Sequence, residues 1–206
     1  MVALKMKAPK SALAPVVEDV LPPKLDGMTV RVETPGLPDL GTLTDQYEHH
    51  IVFSRIMRGD TPDHPGDVDI ATDDALPVPG DILTVIGDQE SVDRFTQQVG
   101  HPSSVALTLD RSAVDYRRIA VSNSKVANQM LGDLHLRRRF GAVATRVRRG
   151  DVDLLATDDL HLQIGDRVRI VAPRQRMDDV ATFLGDSEKG ASAYSITSPA
   201  IGRALG

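Results

Sequence analysis

The sequence predicts an α+β fold of two tandem units, each running β-α-β-β-β-α around a small, mostly antiparallel sheet. Three observations predict it. Residues 66–81, GDVDIATDDALPVPGD, recur at 150–166 as GDVDLLATDDLHLQIGD, with one leucine inserted. Both strings come after a matching phrase, Ser54-Arg55-Ile56-Met57-Arg58-Gly59-Asp60 in the first and Thr145-Arg146-Val147-Arg148-Arg149-Gly150-Asp151 in the second. Short apolar runs bounded by Gly-Asp turns alternate with amphipathic stretches. The repeat offset of about 85 residues suits a small domain, whereas solenoid repeats run about 20–50 residues. The expected organisation is a linker over 1–23, a first unit over 24–101, an inter-domain linker over 102–115, a second unit over 116–186 and a tail over 187–206.

The second unit is the more regular. Arg118-Ile119-Ala120-Val121 reads as a strand, and Ser122-Asn123-Ser124 can cap the helical stretch after it. From Lys125, the apolar positions Val126, Met130, Leu131, Leu134 and Leu136 suit one face of a helix closed by Phe140-Gly141. Ala142 to Val147 and Asp153 to Ala156 read as strands about the Arg149-Gly150-Asp151 turn. Arg167 to Val171 is the fourth strand. Pro173 then opens a helix over Gln175–Leu184 with Met177, Val180, Ala181 and Leu184 on one face.

The first unit has the same order. Met28–Val32 is a strand, and Leu40–Tyr47 is the counterpart of the first helix, its start limited by Pro35 and Pro38. Ile51–Met57 and Ile82–Ile86 are strands. TPDHP (61–65) is an insertion in a turn, where added length costs little. Ser91 is expected to cap a last helix carrying Val92, Phe95 and Val99 and stopping at Gly100.

Composition narrows the function. The 206-residue chain has no cysteine, so thiolate chemistry and disulfides are excluded, and aromatic content of 3% leaves the cores to Val, Ile, Leu and Ala. No apolar run approaches the roughly 18 residues of a membrane span, and MVALKMKAPKSALAP lacks the apolar centre of a signal peptide. The net charge of −5 hides a division: residues 24–100 hold 5 Lys/Arg against 15 Asp/Glu, residues 116–185 hold 13 against 8. Either the surfaces have drifted in composition, or unlike units attract, or the second unit alone handles anions.

The acidic clusters Asp67/Asp69/Asp73/Asp74 and Asp151/Asp153/Asp158/Asp159 lack calcium-loop spacing and read as turn chemistry. The six histidines form no zinc pattern, and no nucleophile elbow, phosphate loop or dinucleotide fingerprint occurs. The sequence therefore points away from an enzyme, and no cofactor or metal is expected. The basic cluster is the best ligand candidate: Arg137-Arg138-Arg139 at a helix end, with Arg146, Arg148 and Arg149 on the next strand. Its structural account is complementarity to the helix dipole, and its functional account is capture of phosphate or carboxylate by guanidinium forks. An acidic chain poor in aromatics is not expected to bind nucleic acid.

The stretch from Ile119, including Leu134-His135-Leu136-Arg137-Arg138-Arg139-Phe140-Gly141, the Arg-Arg-Gly turn and Leu162-Gln163-Ile164-Gly165-Asp166, resembles the TrkA-C domain, the C-terminal lobe of RCK proteins. Residues 28–100 resemble a diverged second copy, with Glu48-His49-His50 where the arginines stand. Arg146–Ala156 with Phe183-Leu184-Gly185-Asp186-Ser187 is similar to the aspartate–alanine exchanger family of bacterial transporters, which carry tandem TrkA-C domains in a cytosolic loop between membrane-helix blocks. The resemblance implies a cytosolic module at the inner membrane, partnered by the membrane helices of a transporter for amino acids or dicarboxylates and by a second copy of itself, with the tail leading to a membrane segment. It also implies a small anionic ligand, such as a nucleotide or cyclic dinucleotide, near the first-strand loop. Asn123 and Lys125 are the loop candidates, beside Arg138, Arg139 and Arg146 from the basic cluster. The alternatives are a purely structural dimerisation module and a gating domain of a potassium transport system.

Overall fold

Two antiparallel sheets, each backed on one face by helices, meet through their other faces. The computed structural model describes residues 24–59, 66–105, 107 and 113–185. The leader 1–23, the insertion 61–65 and the tail 187–206 lie outside the described residues. The first sheet contains β1 (Leu25–Val32), β2 (Ile51–Arg58), β3 (Asp67–Ile70), β4 (Ile82–Asp88) and β5 (Gly100–Pro102), in the order β3-β2-β4-β1-β5. The second contains β6 (Val114–Ala120), β7 (Val143–Arg149), β8 (Val152–Leu155) and β9 (Arg167–Pro173), in the order β6-β9-β7-β8. Matching β1 to β6, β2 to β7, β3 to β8 and β4 to β9 makes the two orders the same. Strand β6 begins at Val114, inside the expected inter-domain linker, and β5 adds an edge strand that the sequence did not suggest.

The correspondence extends to irregularities. The β2–β4 register slips between Phe53 and Arg55, and the β7–β9 register slips between Ala144 and Arg146. These bulges occupy equivalent places. Asp81 and Asp166, both buried after a glycine in the left-handed region, accept from the Val78 and Gln163 amides respectively. Each sheet packs its inner face on one apolar core. The first core includes Val30, Leu43, Phe53, Leu83, Val92, Phe95 and Val99. The second includes Ile119, Leu134, Val147, Val168, Ile170, Val180 and Leu184.

Helix α1 (Leu40–Gln46) starts where Asp39 accepts from the Thr42 amide at 2.8 Å and from its hydroxyl at 2.9 Å. These bonds hold the Asp39 carboxyl below its usual range. Helix α2 (Gln89–Val99) buries Val92, Phe95 and Val99, as the periodicity expects. Its cap is Asp88, which accepts from the Ser91 amide at 2.9 Å; Ser91 is the donor and not the expected cap. Helix α4 (Met177–Leu184) buries the four expected residues and ends at Gly185.

The long helix expected from Lys125 does not form. Asn128 takes φ 65° and His135 φ 48°, each incompatible with a continuing right-handed helix. Between them the chain pairs like a strand with residues 160–162: Asn128 donates to the Leu162 carbonyl, and Leu162 donates to that of Gln129. Only a 3₁₀ turn over Gly132–Leu134 and the short α3 (Leu136–Phe140) are helical. Val126, Leu131, Leu134 and Leu136 are nonetheless buried, while Met130 points to solvent. The apolar pattern found the core, but tertiary pairing chose the backbone.

The units meet through Val52, Ile70, Val114, Val143 and Val171, with Tyr116 and Leu155 at the margin. Val52 and Val143 are equivalent positions, as are Ile70 and Leu155. Strand β2 packs on β7, β3 on β6, and β1 on β8. The β2–β7 contact is its own equivalent and β3–β6 is the equivalent of β1–β8, the pattern produced by an approximate two-fold axis, while β3 also touches β9.

Candidate functional site

The unit boundary lines a half-open cavity of about 260 Å³. Its polar lining combines Thr44, His49 and Asp73 of the first unit with His135, Arg137, Arg138 and Asp158 of the second. Local backbone sets these groups. Leu40-Gly41 donates to the Ala75 and Asp73 carbonyls, and Leu131-Gly132 donates to those of Leu160 and Asp158. A Cβ at Gly132 would stand 3.0 Å from that of Asp158, so a side chain there requires the Asp158 loop to give by a few tenths of an ångström. His49 and His135 both lie in the left-handed region, which turns the chain at the cavity wall.

One side chain closes the boundary. Arg137 Nη1 donates to Asp73 Oδ1 at 2.6 Å and to the Ala71 carbonyl at 2.9 Å. Burial pushes the Asp73 carboxyl above its usual range; Arg137 opposes this, and Asp158 adds to it.

The five sequence candidates do not converge. Asn123 is committed to packing: its amide nitrogen donates to the Phe183 carbonyl at 2.8 Å and its oxygen accepts from the Lys125 amide at 3.0 Å. Thr34 makes the equivalent tie to Gln98 in the first unit. Lys125 is exposed beside it. Arg139 lies over the Phe183 ring at 4.1 Å, so it shares a neighbour with Asn123 and is not part of the cavity lining. Arg138 is exposed and lines the cavity. Arg146 is half-buried on β7, outside that lining; burial and then the Arg169 charge push its guanidinium below its usual pKa.

Sequence reasoning passed over Asp73, Asp158, His49 and His135 as site residues. Asp73 and Asp158 were visible as the Thr-Asp-Asp shared by both repeats, and read as turn chemistry. The matched words Leu40-Gly41-Thr42-Leu43 and Leu131-Gly132-Asp133-Leu134 would have placed the loops beside them. Among the described residues no group of three or more acidic or histidine side chains is placed to hold a metal ion. No helix among them is long and apolar enough to cross a membrane.

Residues 116–185 match the model of the TrkA-C domain. An uncharacterized transporter of Geobacter sulfurreducens is 40% identical over 185 residues, covering 88% of this chain and 33% of its own length. Uncharacterized transporters of Symbiobacterium thermophilum (40% identical, 84% of this chain, 29% of its own) and Cutibacterium acnes (43%, 68% and 27%) are similar in the same way. The chain thus spans about a third of the length of these relatives. The crystal structure of the GsuK RCK domain superposes with a TM-score of 0.32 at 7% identity, over 78% of this chain and 63% of that one, too loose a match to bear on the fold. The second unit, residues 116–185, carries a TrkA-C domain.

Proposed function

We propose that this chain is the regulatory module of a bacterial secondary transporter for amino acids or dicarboxylates, acting at the cytoplasmic face of the membrane. The observation that carries the reading is the TrkA-C domain within a chain most of which aligns with proteins named transporters. On this reading residues 24–101 are a diverged TrkA-C unit, 102–115 the linker and 116–186 the second unit. The shared strand order and the equivalent bulges support the duplication. The membrane helices would be carried by the part of the relatives this chain does not span.

Regulation requires a ligand that prefers one arrangement of the units over another. The cavity is suited to that, because Arg138 and the Arg137–Asp73 pair lie where the units meet. Asn123, Lys125, Arg139 and Arg146 are proposed ligand-binding residues that lie outside this cavity. Calorimetry of the chain against nucleotides, cyclic dinucleotides, dicarboxylates and divalent ions tests it; no heat with any of them removes the sensing role.

A second reading, a structural dimerisation module, draws on Asn123 and Arg139 being engaged in packing. If Arg138→Ala with Arg146→Ala leaves transport and its regulation by the full-length protein intact, this reading replaces the first.

A further inference from the structure

Equivalent sheet positions differ in one respect with chemical consequence. On the first sheet's interface face, cross-strand partners form the rows Thr29, Thr84, Arg55, Ile70 and Arg31, Ile82, Met57, Val68. Met57, Ile82 and Val68 pack with Val105 and Leu107 of the linker. On the second sheet the same positions read Arg118, Arg169, Arg146, Leu155 and Ala120, Arg167, Arg148, Asp153. Arginine stands at five of these eight positions on the second sheet and at two, Arg31 and Arg55, on the first, where the rest are mostly apolar or hydroxyl residues. Arg118, Arg148 and Arg167 are exposed, and Arg146 and Arg169 half-buried.

On the sheet's other face arginines are matched to carboxylates: Arg117 to Asp178 at 3.0 Å and Arg149 to Asp166 at 2.8 Å. In the rows, Arg148 has only distant partners, Asp151 at 3.8 Å and Asp153 at 3.7 Å. Asp26 and Asp153 act on Arg146 from further off. Like charges directly opposite on neighbouring strands destabilise a sheet. Two of the three aligned arginines are nevertheless held in place. Arg169 lies over the Tyr116 ring at 4.7 Å, and Arg146 reaches β1, where a Cβ on Gly27 would stand 3.4 Å from its Nη2. A face serving solubility requires neither the alignment nor the half-burial.

We propose that the row Arg118–Arg169–Arg146 binds a small anion carrying two oxyanion groups. The Cβ atoms of neighbouring residues in the row stand about 5 Å apart, close enough for adjacent guanidinium forks to share phosphate or carboxylate groups. Arg167 and Arg148 in the next row add to the field. The inference rests on the anion-sensing reading above only for its regulatory meaning, since the site itself stands on sheet register.

The test is calorimetry and thermal melting of the whole chain at low ionic strength, with pyrophosphate, succinate and acetate as probes. Pyrophosphate or succinate binds more tightly than acetate, and whichever binds best identifies the ligand as a diphosphate or a dicarboxylate. Arg118→Gln and Arg169→Gln each weaken that binding about tenfold. Arg117→Gln, on the opposite face, leaves it unchanged. The exposed Arg118→Gln variant melts no lower than the parent without ligand, because it relieves repulsion. Binding no tighter than that of acetate, or undiminished in both row variants, overturns the site. Binding that is present but without effect on transport by the full-length protein overturns the regulatory reading alone.

Discussion

Arg137 and Asp73 form an ion pair at 2.6 Å across the boundary between the two units. The same guanidinium donates to the Ala71 carbonyl, so one side chain fastens the second unit to the loop after β3. Burial raises the Asp73 pKa despite Arg137. A carboxyl raised in the folded state contributes stability below its unfolded pKa and loses that contribution as pH rises through the folded value. Arg137→Ala removes the opposing charge and raises that folded value further. Its destabilisation is therefore larger at neutral pH than below the carboxylate range. The Asp73 side chain keeps 61% of its exposure and that of Arg137 31%, so water still screens the pair and the loss is modest, about 1 kcal/mol. Denaturant melts at two pH values check the sign.

Equivalent arginine–aspartate pairs differ in strength. Arg149 meets the buried Asp166 through two bonds, Nε to Oδ1 at 2.9 Å and Nη2 to Oδ2 at 2.8 Å. The hydrogen bond to Asp166 raises the Arg149 pKa. In the first unit Arg58 approaches Asp81 only to 3.9 Å. Arg149→Ala strands a buried carboxylate and costs about 2 kcal/mol, less than a fully buried pair because the guanidinium is partly solvated. Arg58→Ala costs less. Urea denaturation of the two variants gives the ranking.

Gly185 ends α4 at φ 95°, and a Cβ there would collide with the Asn123 amide and the Ser122 hydroxyl, which donates to the Gly185 carbonyl. Gly185→Ala combines left-handed strain with a clash against backbone and lowers stability by more than about 2 kcal/mol. Gly36, at φ 72° with open space around it, shows the strain alone, about 1 kcal/mol on substitution by alanine. Thermal melting of both variants separates the two effects.

The inter-unit cluster centres on the equivalent residues Val52 and Val143. Val143→Asp buries a charge without a partner there, and the units part before either core unfolds. Small-angle scattering shows a larger radius of gyration, while far-ultraviolet circular dichroism retains most of its signal.

The amino-acid sequence by itself determined most of the strands, though not β5, and the apolar faces of α2 and α4. Those features are local: Val92, Phe95 and Val99 recur at helical spacing, and Gly80-Asp81 and Gly165-Asp166 carry their own turn chemistry. Tertiary structure decided the rest. The helix expected from Lys125 yields to pairing with residues 160–162, a partner some thirty residues away whose hydrogen bonds leave no trace in the local period. Arg137, read as part of a helix-end cluster, finds Asp73 in the other unit. Arg118, Arg146 and Arg169 lie far apart in the chain and become neighbours only through strand register. Side-chain periodicity reports which face a residue occupies, whereas the partner across a sheet or a unit boundary is set by contacts between distant segments, and both candidate anion sites are made of such contacts.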